Sequence, residues 1–129
     1  MYNKNGKTYV SWEDAEHYIK DLIDLYERTN NKTKPCGVYG IPRGGLVLAI
    51  MLSYRWNIPL LLAPMDGCIV IDDIADSGRT LLHFTENDTQ FNKYYITTMF
   101  YHDRSIVKPN YSPLNKDDRW IVFPWEMED

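Results

Sequence analysis

One stretch of the chain, Cys68-Ile69-Val70-Ile71-Asp72-Asp73-Ile74-Ala75-Asp76-Ser77-Gly78-Arg79-Thr80, gathers residue types that can do chemistry at this spacing. An apolar run, reading as a buried strand, delivers two adjacent carboxylates to its carboxyl end. In open parallel sheets that edge is where ligands bind. Three residues after the pair comes Asp76-Ser77-Gly78-Arg79-Thr80, leading into a helix. Ser77, Thr80 and the free amides of the first helical turn form an anion cradle, and Gly78 lets the backbone approach closely. Asp72 and Asp73 can take sugar hydroxyls or a hydrated Mg²⁺, with a phosphate seat beside them. A sugar phosphate with vicinal hydroxyls satisfies both halves.

The elements around this string must place it at the edge of a sheet. Ser11 and Asp14 form a capping-box pattern that opens a helix. Ala15, Tyr18, Ile19, Leu22, Leu25 and Tyr26 continue it at helical spacing to about Arg28. Thr8–Val10 is a short strand after a frayed or edge segment at residues 1–7. Asn30–Pro35 is a polar connector. Beyond it the expected order is a strand at Gly37–Tyr39, a loop at Ile41–Gly45, an apolar helix at Leu46–Trp56 and a strand at Pro59–Ala63. A strand at Cys68–Ile71, a helix from Thr80 to about Asn87 and a strand at Tyr94–Tyr101 follow. A long loop over 102–119 then leads to a last strand at Trp120–Phe123. Alternation of this kind predicts an α/β domain with a mostly parallel sheet.

The 129 residues make one domain, residues 1–129. A chain this long buries roughly two thirds of its unfolded surface, so it needs no disulfide or structural metal. Hydrophobic residues are 44% and charged residues 25%, which excludes a disordered tail, a collagen-like repeat and a coiled coil. The net charge of −4 argues against duplex nucleic acid as a partner, though local donors can still bind a small anion. Gly44–Leu52, the longest apolar stretch, is too short to cross a bilayer. The first twenty residues show no signal-peptide pattern. No membrane partner and a cytoplasmic location are therefore expected, with Cys36 and Cys68 reduced and buried.

The string Ile71–Thr80 resembles the 5-phosphoribosyl-1-pyrophosphate (PRPP) signature of the type I phosphoribosyltransferases. A receiver domain also carries an acid pair after an apolar strand. There the pair follows the first strand, whereas here it follows the third or fourth, with a phosphate loop directly behind. Upstream, Tyr39-Gly40-Ile41-Pro42-Arg43-Gly44-Gly45-Leu46 is similar to that family's pyrophosphate loop. Downstream, Trp120-Ile121-Val122-Phe123-Pro124-Trp125-Glu126 resembles the tail of its xanthine-guanine and hypoxanthine branch, as does the opening Tyr9–Glu13.

The resemblance implies a parallel sheet flanked by helices, with a small hood over the site. It implies a homodimer or higher homo-oligomer, and phosphoribosyl transfer from PRPP to a 6-oxopurine, with Mg²⁺. By similarity, Asp72 and Asp73 would hold ribose hydroxyls, directly or through Mg²⁺ waters. Asp76, Ser77, Gly78, Arg79 and Thr80 would seat the 5-phosphate. Arg43 and Gly44 would bind pyrophosphate across a cis Pro42–Arg43 peptide. Asp76 would also meet the purine N7. Trp120 would stack on the base, with the Ile121 and Glu126 backbones at its exocyclic edge; the plainer role for Trp120 is core packing. The lysine that the branch places on the 6-oxo group falls at His102, with Lys108 as the other candidate. The long flexible loop of the family is reduced to Met65-Asp66-Gly67. A regulator that binds PRPP or a nucleotide without catalysis is the alternative reading.

Overall fold

A computed structural model describes residues 1–85 and 93–127. Four strands form a parallel sheet: β3 (Val38–Gly40), β4 (Ile69–Ala75), β5 (Tyr95–Tyr101) and β6 (Leu114–Asn115), side by side in that order. A second sheet orders β1 (Tyr2–Lys4), β2 (Lys7–Tyr9) and β7 (Trp120–Val122), with β1 antiparallel and β7 parallel to β2. This small sheet is the counterpart of the expected hood. The helices are α1 (Trp12–Thr29), α2 (Gly44–Trp56) and the short α3 (Arg79–Leu82).

Both faces of the first half of β4 are covered, which is why Cys68–Ile71 reads as an unbroken apolar run. Ile69 and Ile71 join a core with Ala15, Leu22, Leu48 and Leu52, so α1 and α2 share one face of the sheet. Cys68 and Val70, offset by one residue, point to the opposite core with Leu81, Ile96 and Val107. The buried Tyr18 hydroxyl meets Thr97 Oγ1 at 2.6 Å and ties α1 to β5. The start of α1 follows the sequence pattern: the Asp14 amide donates to Ser11 Oγ at 3.0 Å, and the Ser11 amide donates to Asp14 Oδ2 at 2.9 Å.

Four local expectations change. The strand expected at Pro59–Ala63 is a single bridge, Leu60 to Val38. Pro59 has no amide to give, so only its carbonyl and the Leu61 amide bond to Val38. The helix expected to reach about Asn87 gives way after Leu82 to i→i−3 bonds from His83, Phe84 and Thr85; residues 86 and 87 lie outside those described. The 102–119 loop contains β6, and Tyr111 bridges Thr97. Cys68 is buried as expected, but Cys36 is exposed, with Sγ 3.4 Å from the Asp66 carbonyl. No described helix is long and apolar enough to cross a membrane.

Candidate functional site

β4 runs on past Ile71, because Asp72, Ile74 and Ala75 pair with Thr98, Phe100 and Tyr101 of β5. The two carboxylates therefore sit within the strand's carboxyl end, where the sheet edge opens. Asp72 is buried, and its Oδ1 accepts the Asp73 amide at 2.8 Å. Loss of water and the neighbouring Asp73 charge push its pKa up to about 8. Asp73 is half-buried, and its Oδ1 accepts the Ile74 amide at 2.8 Å. It faces a cavity of about 290 Å³ lined by Ile74, Asp76, Lys116, Trp120, Ile121, Phe123 and Glu126.

Five of the residues singled out from sequence thus meet in one place: Asp73, Asp76, Trp120, Ile121 and Glu126. Trp120 is 68% exposed on β7, which excludes core packing as its role. Its neighbour Ile121 turns inward and is buried, so strand alternation leaves the indole on the outer face of β7, at the cavity rim. Glu126 closes the following turn: its Oε1 accepts the Phe123 amide at 2.8 Å.

The phosphate-loop residues follow Asp76 directly. Gly78 adopts a left-handed φ of 83°. A Cβ there would lie 2.6 Å from Ser105 Oγ and 2.8 Å from the Ile106 nitrogen. The Arg79 amide donates to Ser77 Oγ at 3.3 Å. The amides of Ser77, Gly78 and Thr80 donate to no partner among the described residues, as a free anion cradle requires. Ser77, Arg79 and Thr80 are exposed.

The Pro42–Arg43 peptide is cis, as the resemblance implies. Arg43 is exposed at the start of α2, and Gly44 packs against Asp73 Oδ2 with no room for a Cβ. This contact brings the upstream loop onto the acid pair.

No protein-family model matches the chain. The xanthine-guanine phosphoribosyltransferase of Idiomarina loihiensis is 25% identical, with 98% of this chain and 91% of that protein covered. The purine phosphoribosyltransferase of Pyrococcus horikoshii superposes with a TM-score of 0.76 at 26% identity, covering 96% of this chain and 97% of that one. A Helicobacter pylori xanthine-guanine-hypoxanthine phosphoribosyltransferase shares the fold with a TM-score of 0.72 at 21% identity, over 93% of this chain and 94% of that one.

The chain has the type I phosphoribosyltransferase fold. Its sequence resembles those of xanthine-guanine phosphoribosyltransferases. The alignment with the Idiomarina relative spans 158 positions against 129 residues here, so that protein has segments with no counterpart in this chain. Backbone bonds close the turn Met65–Gly67: the Gly67 amide donates to the Lys93 carbonyl at 2.8 Å and the Cys68 amide to the Met65 carbonyl at 3.1 Å.

His102 and Lys108 do not line the cavity of this phosphoribosyltransferase fold. His102 Nδ1 accepts the Arg104 amide at 3.1 Å, leaving Nε2 to donate to Asp118 Oδ1 at 3.2 Å. Lys108 lines a separate hollow with Tyr101 and Tyr111. The lysine in the cavity is Lys116, placed by its amide, which donates to the Tyr101 carbonyl at 2.8 Å. Its ammonium donates to the Asp117 carbonyl at 3.0 Å, so two of its three N–H donors remain for a ligand. Arg104 is a second residue missed from sequence, bonded to Asp76 through Nε at 2.9 Å and Nη2 at 2.7 Å.

Proposed function

We propose that this chain transfers the 5-phosphoribosyl group from PRPP to a 6-oxopurine and releases pyrophosphate. The observation that carries this reading is the single cavity lined by Asp73, Asp76, the exposed Trp120 and Lys116. Carboxylates at one side suit a ribose, and an indole face with a donor beside it suits a flat base with a carbonyl oxygen. A 6-aminopurine offers no acceptor at that position to a lysine.

The steps follow from the positions. Loop amides from Ser77 to Thr80 hold the 5-phosphate, and Arg43 with the Gly44 amide holds the pyrophosphate. Trp120 keeps the purine parallel to its ring, in line with the anomeric carbon. The bond from that carbon to pyrophosphate breaks as the purine nitrogen forms its own bond from the opposite face. The transition state has oxocarbenium character. Asp76 receives the proton that the purine loses. Charge gathering on the leaving group is met by Arg43 and backbone N–H groups.

The donor set at Asp72 and Asp73 fits Mg²⁺, which takes hard oxygen ligands and keeps several waters. When bound, Mg²⁺ would neutralise charge on the pyrophosphate oxygens. We also propose, by likeness to the family, a homodimer or higher homo-oligomer, and action in the cytoplasm on soluble PRPP and free base.

The test is nucleotide formation from PRPP and Mg²⁺ with hypoxanthine, guanine, xanthine and adenine offered separately. Nucleotide should appear with one or more of the three oxopurines and not with adenine, and pyrophosphate should equal the sum of nucleotide and ribose 5-phosphate. The tight turn at Met65–Gly67 favours a second reading, a non-catalytic PRPP- or nucleotide-binding regulator. Tight PRPP binding with no turnover on any base would support that reading instead.

A further inference from the structure

Asp76 heads the loop that the proposed reading gives to a phosphate ester, so a carboxylate stands beside the seat of a dianion. The two charges repel unless something lies between them. The structure supplies a cation from a distant segment. Arg104 meets one oxygen of Asp76 twice, with Nη2 at 2.7 Å and Nε at 2.9 Å from Oδ1, and leaves Oδ2 with no protein partner among the described residues.

The backbone delivers this arginine. The His102 amide donates to the Ala75 carbonyl and the Ile106 amide to the Ser77 carbonyl, both at 2.9 Å, so the turn is tied on either side of Asp76. Between the ties, the Arg104 amide donates to His102 Nδ1 at 3.1 Å and the Ser105 amide to the His102 carbonyl at 2.9 Å. Both charged side chains remain partly exposed, so the pair adds little to folding stability. Its effect belongs to ligand binding.

We infer that Arg104 is a positioning residue of the phosphate seat. It offsets and orients Asp76 so that a 5-phosphate can rest on the loop behind it, while Oδ2 stays available to the cavity. The inference rests on the proposed reading of residues 76–80 and concerns a residue outside that loop.

The experiment compares binding of guanosine 5′-monophosphate and guanosine by calorimetry. The proteins are wild type, Arg104→Gln, Arg104→Lys, Asp76→Asn and the Arg104→Gln/Asp76→Asn pair. Arg104→Gln should weaken the monophosphate about tenfold, a coupling of the size found between contacting charges. Guanosine binding and the thermal midpoint should barely change. Arg104→Lys keeps the charge and should retain most of the affinity. In the Asp76→Asn background the Arg104→Gln loss should largely vanish, because no carboxylate is left to offset. An equal loss in both backgrounds would show that Arg104 acts on the ligand directly and would overturn the inference. So would an Arg104→Gln protein that binds the monophosphate as well as wild type. A wild type that binds neither ligand would remove the reading of the seat itself, and this inference with it.

Discussion

Gly44 and Asp73 touch: a Cβ on Gly44 would overlap the Asp73 carboxylate oxygen Oδ2. Residues far apart in sequence, one opening α2 and one inside β4, therefore share a single van der Waals surface. Gly44→Ala should cost less than about 1 kcal/mol, because the overlap falls on a half-buried side chain that can turn away, but the displaced Asp73 should abolish the thermal shift given by PRPP with Mg²⁺. Adding Asp73→Ala should restore the midpoint but not the ligand shift. Recovery of both would show that the contact is steric only and that Asp73 holds no ligand.

Asp72 sets a pH dependence in the metal-free protein. Its carboxyl is pushed up to about 8, chiefly by burial. The folded state then holds a proton that the unfolded state releases above its ordinary value near 4. Stability contributed by this group should be full below pH 4, fall as pH rises toward 8, and level off above that. Asp72→Asn removes the titration. Its midpoint should gain on wild type as pH rises from 4 to 8, measured by thermal melts without Mg²⁺. A constant difference across that range would contradict the burial argument.

The acid pair should also be needed for ligand. Asp72→Asn with Asp73→Asn should leave the unliganded midpoint near wild type or higher and abolish the shift caused by PRPP with Mg²⁺. An unchanged shift would remove both acids from the ligand site.

Trp120→Ala should weaken base or nucleoside monophosphate binding by about 1–3 kcal/mol, the range for stacking on an aromatic side chain. Because Trp120 is exposed, the thermal midpoint should hold. PRPP binding should change little. Equal losses for both ligands together with a fallen midpoint would mean that the ring supports the fold instead.

Transfer and hydrolysis should compete. Met65–Gly67 spans only roughly 10 Å even when fully extended, too short to cover PRPP. Unless the 102–119 segment or a neighbouring subunit covers the site, water reaches the forming cation. The measurement is ribose 5-phosphate against nucleotide at saturating purine. A detectable hydrolysis share is expected; fast transfer with none would show that another segment closes the site.

The sequence made the strand, the acid pair and the turn into α3 legible because they are local. The stretch Cys68–Ile71, covered on both faces, must be apolar, and Gly78 marks the turn that follows β4. The opening of α1 was legible for the same reason, since Ser11 and Asp14 satisfy each other's amides within four residues. Lys116 and Arg104 were not. Each is placed by bonds to distant backbone, Lys116 through the Tyr101 carbonyl and Arg104 through the ties at Ala75 and Ser77, in a segment with no periodic pattern. His102 drew attention instead because it directly follows β5. Whether Trp120 was core or platform also depended on β7 lying at the cavity rim, which no single-residue property encodes.

Gly78 lies against Ser105 Oγ and the backbone nitrogens of Ile106 and Val107, and the Ser77 carbonyl is held by the Ile106 amide. The phosphate loop therefore takes its shape partly from a turn far downstream. A transplant of residues 68–80 into another strand–turn–helix unit would carry the motif but not the mould around it. To move the site as a working part, the 102–107 turn must travel with the loop.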